Sequence, residues 1–453
     1  MRWRPSTAAA NGASRNRRTA KLDALDALYA AVMYRRVAVT ATVACGALLF
    51  IGHLKRKFRR NACAAVRVFI HQLQKARHET LKVTWFATRG LADGDALRAL
   101  LDPRVELVVV ATGRLADVDA ATEILVSGDA PPYDADPGGL ARLARLEAFL
   151  QPYAGVPDVV AKALRRERRR RNVNDLTPLV CCNSHHNAPM TAELAVALAL
   201  AAAKRLCVAD ERLRRGDWRA RGLPAPPPGY GGESPLPQLT LDGKRAVVAG
   251  LGAVGSRVAV ALAALGARVS ATSRSCSASK ETTLACGAAS ALVTLEPAAR
   301  FVELLADCRL LVLCVPLSPE TTGLVDAAAL AALPSDAVVV NAARGPVVDE
   351  AALYAALASG SVAAYASDVW YHYPATWDDA AATAPWSPAC DLAALPAAAT
   401  VLSPHRGGAV GLPETERRRY AAVADAINAV AKSGDFARLA TGPIGGLNID
   451  AGY

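Results

Sequence analysis

The chain has 453 residues, enough for two or three domains, and a formal net charge of +11. The charge is concentrated at one end: residues 1–80 hold 16 Lys or Arg and 3 Asp or Glu, whereas residues 81–453 hold 36 and 38. A body this close to neutral argues against a nucleic-acid-binding surface. The ten cysteines include no C-x-x-C pair and no Cys/His spacing for zinc, so we expect free thiols in a reducing compartment and no metal site.

Residues 1–80 are predicted to form a basic N-terminal extension. Its first 22 residues carry six basic side chains and no acidic one, a composition typical of organellar transit peptides. Residues 37–54 contain an apolar run, Val37–Gly52, which would span about 24 Å as a helix, against about 30 Å for a hydrocarbon core. A cleaved signal for a plastid or mitochondrion and a short membrane anchor both stay open. If the extension is not functional, the protein is expected in the cytoplasm.

Residues 81–187 alternate between strand and helix patterns, which predicts a parallel sheet with helices on both faces. The predicted elements are strands at Lys82–Ala87, Val105–Val110, Glu123–Ser127, Leu146–Leu150 and Leu179–Cys182 and a helix at Asp93–Leu101. The basic run Arg165–Arg171 is interpreted as the solvated end of a further helix. A helix at Thr191–Leu206 is apolar nearly all round, which suits a surface buried between two subunits.

Residues 244–275 have the pattern of a strand, a glycine-rich turn, a helix and a second strand. The turn has the G-x-G-x-x-G spacing and consists of Gly250, Gly252, Ala253, Val254 and Gly255. Gly250 permits the tight turn, Gly252 lets the backbone approach a pyrophosphate, and Gly255 lets helix and strand pack closely. The helix N-terminus then offers free N–H groups and a positive dipole end to the phosphates. This framed motif predicts a dinucleotide cofactor.

The second strand of this unit ends in Ser273-Arg274-Ser275, where a nucleotide-binding fold usually places Asp or Glu to hold the ribose 2′-hydroxyl. Hydroxyls and a guanidinium suit a 2′-phosphate, and no carboxylate is present to repel it. NADP(H) is therefore the preferred cofactor, with NAD(H) possible. The alternative is that Arg274 is only a surface charge stacked on adenine.

The strand–helix alternation continues to the C-terminus. A loop rich in proline and glycine, within residues 216–240, precedes the glycine-rich unit. Strands are predicted at Leu310–Val315, Ala337–Asn341, Ala363–Ser367 and Thr400–Ser403, with a long loop at 375–399 and a final helix at Glu414–Ala431.

Five ordered motifs carry a family resemblance. GLGAVG, CVPLSPETTGLV, NAARGPVVDE, SDVW and SPHRGG make residues 81–453 resemble the D-isomer-specific 2-hydroxyacid dehydrogenases. The resemblance implies an α/β fold of two Rossmann-like domains, with the active site in the cleft between them. An NAD(P)-binding Rossmann domain, residues 188–404, would be inserted in a discontinuous flavodoxin-like substrate domain, residues 81–187 plus 405–453. It also implies a homodimer.

The resemblance assigns roles to individual residues. Arg344 matches the arginine that grips the substrate carboxylate, because a guanidinium holds it in a fixed bidentate geometry. His405 matches the general acid/base that protonates the ketone oxygen as hydride arrives. Asp368 matches the residue that bonds the nicotinamide carboxamide. The further matches are Ala154, Gly155, Val156 and Asn187 for substrate, and Pro316, Ala342 and Gly407 for cofactor.

One position departs from the family pattern. Most members carry Glu five residues after the aspartate that Asp368 matches, paired with the catalytic histidine, whereas this chain has Tyr373. A phenol can orient an imidazole but supplies no charge to raise its pKa. We therefore place Tyr373 among the catalytic residues, with the hypothesis that it accepts the imidazole N–H. The departure favours formate dehydrogenase-like chemistry somewhat, since those relatives also lack this Glu.

Three functions follow. The first is NAD(P)-dependent oxidoreduction at the CH–OH group of a D-2-hydroxy acid, in the direction that reduces a small 2-oxo acid such as glyoxylate or hydroxypyruvate. The second is formate dehydrogenase-like hydride transfer, and the third is a nucleotide-sensing binding protein of the same fold. Arg344 and His405 together favour an enzyme, because a sensor needs no acid/base facing a carboxylate clamp.

Overall fold

A computed structural model describes residues 80–86, 94–111, 114–127, 139–174, 176–218, 238–374 and 383–447. The chain divides into two units, Met1–Glu79 and Thr80–Tyr453, and all described residues belong to the second. The predicted N-terminal extension with its segment 37–54, most of the loop within residues 216–240, and residues 375–382 of the loop at 375–399 lie outside the described residues. Across the described ranges, none of the helices is long and apolar enough to cross a membrane.

The described residues form fourteen strands and eight α-helices. The strands are β1 Leu81–Phe86, β2 Val105–Val110, β3 Ile124–Ser127, β4 Ala148–Gln151, β5 Val180–Ser184, β6 Arg245–Ala249, β7 Arg268–Ser273, β8 Lys280–Cys286, β9 Ala289–Pro297, β10 Cys308–Leu313, β11 Val338–Asn341, β12 Ala364–Ser367, β13 Thr400–Leu402 and β14 Ile444–Gly446. The helices are α1 Gly94–Arg98, α2 Asp158–Val173, α3 Ala188–Ala203, α4 Leu206–Arg214, α5 Gly255–Ala264, α6 Ala327–Ala332, α7 Glu350–Ser359 and α8 Pro413–Ser433.

The first sheet has the strand order β2-β1-β3-β4-β5-β14, and only β14 is antiparallel to its neighbour. The parallel part has the flavodoxin-like order. β3 and β4 are buried at every position, as expected of apolar strands covered on both faces. The C-terminal helix α8 packs Val423, Ile427 and Val430, which lie on one helical face, into the core around Trp85. The C-terminal segment therefore completes this sheet.

The second sheet has the order β13-β12-β11-β10-β6-β7-β9-β8. From β9 to β13 all neighbours are parallel, in the doubly wound Rossmann arrangement with β6 at the centre. Separate apolar clusters cover its two faces, one with α3 and α5 and the other with α6 and α7. The predicted fold class, α/β with two Rossmann-like sheets, is confirmed.

The predicted helix at Thr191–Leu206 is divided. Helix α3 begins at Ala188 and ends at Ala203, and α4 begins after Arg205, which has a left-handed backbone with φ of +53°. The apolar character of α3 has an explanation inside the chain, because seven of its residues are buried and most of them pack on the second sheet.

The antiparallel hairpin of β8 and β9 was not predicted from the sequence. Its turn is Gly287-Ala288, with Gly287 at φ +63°, and the flanking Cys286 and Ala289 are paired. Small residues blur the alternation of polar and apolar positions, so the two-residue glycine turn is the main local signal. Lys280 and Glu281 lie on the exposed edge strand, where charged side chains protect an open sheet edge.

The basic run in α2 is only partly solvated, contrary to the sequence interpretation. Arg171 and Glu167 are both buried, and Arg171 Nε donates to Glu167 Oε1 at 2.8 Å. Arg171 also donates to the carbonyl oxygens of Thr177 (2.9 Å) and Leu146 (2.5 Å). This arginine therefore joins the end of α2 to the amino end of β4.

Candidate active site

The glycine-rich turn between β6 and α5 is shaped by its backbone. Gly250 has φ of +93°, and a Cβ there would lie 2.9 Å from the Cys314 carbonyl oxygen. A Cβ at Gly255 would lie 2.0 Å from the carbonyl oxygen of Gly250, so both positions require glycine. At Gly252, by contrast, a Cβ would have no described atom within 4 Å, and Gly252 and Ala253 are exposed.

The start of α5 is suited to an anion. The helix follows Val254, and among the described residues no side chain caps it. The Ser256 amide donates to the Gly252 carbonyl oxygen at 3.0 Å. The Gly255 and Arg257 amides remain as donors at the positive end of the helix dipole. The open space in front of Gly252 accommodates the close approach of a pyrophosphate. These residues fit the phosphates of a dinucleotide.

Ser273-Arg274-Ser275 lies at the carboxyl end of β7. The Ser273 and Ser275 hydroxyl oxygens are 2.9 Å apart, and the Ser275 amide donates to Ser273 Oγ at 3.3 Å. Arg274 is exposed. A carboxylate is within its electrostatic range: the pKa of Glu320 is held below its usual value by the Ser318 hydroxyl and also by Arg274. The group offers hydroxyls and a guanidinium where this fold places the adenosine ribose.

Pro316 and Ala342 follow β10 and β11 at the same edge of the sheet. Thr321 Oγ1 donates to the Pro316 carbonyl oxygen at 2.6 Å and accepts from the Ser318 amide at 2.8 Å, which braces this loop internally. The Ala342 amide donates to the Leu313 carbonyl oxygen at 3.2 Å. Open α/β sheets bind ligands at this carboxyl edge.

The turn that carries Arg344 is fixed by the buried Asn341. Asn341 Nδ2 donates to the Arg344 carbonyl oxygen at 2.9 Å, and Asn341 Oδ1 accepts from the Ala343 amide at 3.0 Å. The Arg344 guanidinium projects toward the first sheet, because a Cβ on Gly155 would lie 3.0 Å from its Nη2 atom. Desolvation in this cleft lowers the pKa of Arg344, although the side chain keeps a solvent-exposed part.

The His405 turn is held by a buried carboxylate. Asp368 Oδ1 accepts from Ser403 Oγ at 2.5 Å and from the Arg406 amide at 2.8 Å, and its Oδ2 accepts from the Gly407 amide at 2.7 Å. His405 itself has φ of +56°. A Cβ on Gly407 would lie 2.7 Å from Asp368 Oδ2, so glycine is needed there. Asp368 thus shapes the histidine turn, and its contact with the nicotinamide carboxamide remains a prediction.

The His405 imidazole faces an arginine and a phenol. Desolvation and the positive charge of Arg344 lower the pKa of His405, and the negative charge of Asp368 opposes them. The Tyr373 ring lies 5.3 Å from the imidazole, centroid to centroid, at 52°. The Tyr373 oxygen accepts from the Trp370 amide at 3.1 Å, and burial raises the pKa of this phenol. The contact observed is therefore between the rings, not the hydroxyl–imidazole hydrogen bond of our hypothesis.

The 154–156 turn approaches Arg344 from the first sheet. Asn183 Nδ2, at the end of β5, donates to the Ala154 carbonyl oxygen at 2.8 Å. At the other end of the turn, Val156 is half-buried and packs against the apolar cluster that includes Phe149 and Val160. Gly155 lies between them and faces the guanidinium.

Asn187 precedes α3 and borders the histidine turn. A Cβ on Gly408 would lie 2.9 Å from Asn187 Nδ2. Thr191 Oγ1 lies 3.2 Å from the Asn187 carbonyl oxygen and 3.3 Å from that of Gly407, so it links the two segments. The structure therefore brings Asn187 and the 154–156 turn to the same cleft as Arg344 and His405.

Sequence reasoning missed Asn341 and Ser403. Both are polar residues at the carboxyl end of an otherwise apolar strand pattern, which was the signal available. Within the described residues, no group of three or more His, Cys, Asp or Glu side chains is arranged to hold a metal ion.

In a comparison with protein families, residues 196–407 match the NAD-binding domain of the D-isomer-specific 2-hydroxyacid dehydrogenases. Among curated proteins, D-3-phosphoglycerate dehydrogenase of Archaeoglobus fulgidus is 34% identical over 43% of this chain and 32% of its own length. Glyoxylate reductase of Thermococcus kodakarensis is 33% identical over 41% of this chain and 50% of its own length. The chain thus spans between a third and a half of these relatives.

Solved structures share the fold over most of the chain. A D-isomer-specific 2-hydroxyacid dehydrogenase from Xanthobacter autotrophicus Py2, in complex with NADPH and MES, is 24% identical with a TM-score of 0.56, covering 83% of this chain and all of that one. An NADPH-dependent glyoxylate/hydroxypyruvate reductase from Sinorhizobium meliloti is 22% identical with a TM-score of 0.53, covering 78% and 95%. At such identities the likeness concerns the fold alone.

Proposed function

Since the chain belongs to the D-isomer-specific 2-hydroxyacid dehydrogenase family, we propose that it is an NAD(P)-dependent oxidoreductase that reduces a small 2-oxo acid, such as glyoxylate or hydroxypyruvate, to the D-2-hydroxy acid. One observation carries the proposal. Arg344, from the second sheet, points at the Gly155 turn of the first sheet and lies within electrostatic range of His405. A cation that binds carboxylate thus faces an acid/base in one cleft.

Arg344 and the 154–156 turn bind the substrate carboxylate. Arg344 Nη1 donates to the Ala343 carbonyl oxygen at 2.7 Å, which holds the guanidinium in place. Its other N–H groups can donate to the two carboxylate oxygens, and the turn lies close by, since a Cβ on Gly155 would lie 3.0 Å from Arg344 Nη2. When the carboxylate is fixed, the neighbouring 2-oxo carbon is oriented as well. The substrate then loses its rotational freedom on binding and not in the reaction step. Asn187 borders the same space and contacts the remaining part of the substrate.

His405 donates the proton to the 2-oxo oxygen. A nicotinamide cofactor held at the glycine-rich turn would supply the hydride. Because the pKa of His405 is lowered, its protonated form becomes scarce before neutral pH is reached. Tyr373 positions the imidazole through ring contact and, unlike a carboxylate, does not offset the effect of Arg344. The proposed reduction is therefore favoured by mildly acidic conditions.

NADP(H) is the proposed cofactor, with NAD(H) as the alternative. The Ser273-Arg274-Ser275 group, with Arg274 and Ser275 exposed, supports NADP(H), since its donors suit a 2′-phosphate. The two structural relatives described above were solved with NADPH or named NADPH-dependent, which agrees with this choice.

Formate oxidation is the second candidate. The observation that favours it is the contact of Tyr373 with His405 in place of a carboxylate. Hydride transfer from formate releases no proton at the reacting carbon, so a histidine of lowered pKa is no disadvantage there. The alternative that is not an enzyme is a binding protein that senses the nucleotide and has no turnover.

Activity assays of the full chain test these alternatives. NADPH or NADH is combined with glyoxylate, hydroxypyruvate or pyruvate, and the oxidised cofactors with formate. We expect 2-oxo acid reduction, with His405→Ala lowering kcat by about 100-fold or more, the usual contribution of a general acid. His372→Ala is the matched control, because this exposed imidazole lies one residue from Tyr373 but contacts Ser387 Oγ at 3.4 Å.

The outcomes separate the candidates. Turnover of formate alone would replace the reductase by the second candidate. Tight NADPH binding with no turnover on any substrate would contradict both enzymes and favour the sensor. Equal losses in His405→Ala and His372→Ala would contradict the role given to His405.

Assembly and location are also proposed. A homodimer is supported by the half-buried apolar side chains Val196 and Leu200 on α3, and sedimentation analysis of the purified chain would test it. An organellar or membrane-associated location through residues 1–80 rests on their composition alone. Cell fractionation with and without those residues would decide between these locations and the cytoplasm.

A further inference from the structure

A buried polar cluster lies behind the substrate-binding turn. We call it the Arg419 cluster; its members are Tyr153, His186, Thr415, Glu416 and Arg419. Arg419, on the second turn of α8, is 1% exposed. Its Nη1 donates to the Tyr153 hydroxyl at 3.1 Å and to Glu416 Oε2 at 2.6 Å. Its guanidinium carbon lies 4.2 Å from the centre of the Tyr153 ring, so the cation also stacks on the phenol.

Several polar atoms of the Arg419 cluster lack partners. Nε and Nη2 of Arg419, Nε2 of His186 and Oγ1 of Thr415 have no hydrogen-bond partner among the described residues. A buried charge without full hydrogen bonding destabilises a protein, and internal waters relieve this only in part. Folding alone would favour an apolar residue at this position of α8. We therefore look for the role of Arg419 in the neighbouring substrate site, since stability does not explain it.

The Arg419 cluster contacts both segments of the first sheet that reach the substrate space. Tyr153 directly precedes the 154–156 turn, whose Gly155 faces Arg344. His186 directly precedes Asn187 and lies 3.0 Å from Ser184 Oγ through its Nδ1 atom. Arg419 comes from the C-terminal helix, 266 residues after Tyr153, and is close enough to His186 for its charge to affect that imidazole. One guanidinium thus bonds α8 to the segment before the 154–156 turn and acts electrostatically on the segment before Asn187.

We propose that Arg419 is a positioning residue that sets the distance between the 154–156 turn and the Arg344 guanidinium, and thereby the affinity for the substrate carboxylate. The inference rests on the proposed function. Arg419 does not touch the reacting atoms: it acts through the Tyr153 ring and hydroxyl, which fix the first residue of the turn. Its loss lets the turn move away from Arg344 and weakens substrate binding, while the proton-donating His405 stays in place.

Kinetics of the full chain distinguish positioning from general packing. With the 2-oxo acid that the wild type uses best, we expect Arg419→Met to raise the substrate KM about 10-fold or more, a change of the size of roughly one lost hydrogen bond. Arg419→Lys keeps the charge without the planar stacking, so we expect an intermediate KM. In both variants kcat and the KM for NADPH change less than about twofold.

Two further variants guard against misfolding and unspecific effects. Tyr153→Phe keeps the ring and removes only the hydroxyl of a partly exposed residue, so we expect an unchanged Tm and a KM raised roughly threefold. Arg171→Lys is the matched control, because Arg171 is also a buried arginine of the first sheet but bonds at the opposite, amino end of β4. We expect it to lower Tm without changing KM.

Oxalate binding to the enzyme–NADPH complex, measured by calorimetry, gives a readout that needs no turnover. We expect oxalate affinity to fall in the order wild type, Arg419→Lys, Arg419→Met. If the wild type binds oxalate but reduces no 2-oxo acid, the proposed function fails while this series still tests Arg419. The inference is overturned if Tyr153→Phe and Arg419→Lys leave KM and oxalate affinity unchanged, if Arg171→Lys changes them equally, or if the wild type does not bind oxalate.

Discussion

The two sheets contribute to the cleft in different ways. The second sheet offers a cofactor site made of backbone: glycines at Gly250 and Gly255 that tolerate no Cβ, an uncapped helix and strand ends at one edge. The first sheet offers a substrate site whose backbone turn is held by side chains from other segments, Asn183 and Arg419 through Tyr153. A site made of backbone is defined by local sequence, whereas a site held by side chains depends on the whole domain.

Added methyl groups in the glycine-rich turn test the backbone half of this comparison and have the largest expected effect. In Gly255→Ala the new Cβ meets the Gly250 carbonyl oxygen, so we expect the affinity for NADPH to fall about 100-fold or more and Tm to fall by roughly 4 °C or more. In Gly252→Ala the methyl meets no described atom, so Tm should hold while NADPH affinity falls about 10-fold.

Fluorescence titration with NADPH and thermal unfolding of the same samples measure both effects. If Gly252→Ala binds NADPH as the wild type does, the pyrophosphate does not lie against this glycine. The cofactor site would then not consist of the backbone of this turn.

A carboxylate at position 373 tests whether the side chain there affects the pKa of His405. The protonated fraction of His405 falls as pH rises through its lowered pKa, so kcat/KM for reduction should decline with rising pH from below 6.5. Tyr373→Glu places a negative charge beside the imidazole and raises its pKa, which should move this decline to higher pH by on the order of one unit. Tyr373→Gln has similar length without charge and should not move it.

The pH dependence of kcat/KM in the wild type and both variants is the measurement. Identical profiles for Tyr373→Glu and Tyr373→Gln would show that the charge at position 373 does not reach His405.

The smallest expected effect is that of His186 on the pH dependence of stability, and it tests the burial of the Arg419 cluster beside the substrate turn. Its burial, with the charges of Arg419 and His185, lowers the pKa of His186 from 6.5 to about 4, so it is neutral in the folded protein. The unfolded chain binds a proton below pH 6.5 and the folded chain does not, so stability is lost between pH 6.5 and about 4. The slope is about 1.4 kcal/mol per pH unit.

Urea unfolding at several pH values between 6.5 and 4.5, compared with His186→Gln, measures this slope. The variant lacks the titrating group, so its stability should fall less steeply on acidification. Parallel curves would mean that His186 is accessible to protons in the folded protein, and would place water or an opening at the Arg419 cluster.

The backbone-made cofactor site could be predicted from the sequence, whereas the side-chain contacts of the substrate site could not. The glycine-rich turn was predicted because its residues lie together in the sequence, and the clash that requires glycine at position 255 is with the nearby Gly250. The Arg419 cluster was not, since its partners lie 266 residues apart and the string ETERRRY has the composition of a solvated helix face. The ring contact of Tyr373 with His405 was not predicted either, since it joins two loops that are far apart in the sequence.

The bonds of Asp368 have a mechanical consequence. This carboxylate attaches the His405 turn to the end of β12, so the imidazole is part of the rigid body of the second sheet. The chain then enters α8 within a few residues and becomes part of the first sheet. Any closing of the cleft must be absorbed where the chain passes between the sheets, in the residues between β5 and α3 and in the few residues after Gly407. During such closure the histidine would keep its place relative to the cofactor half, and the substrate turn would approach both together.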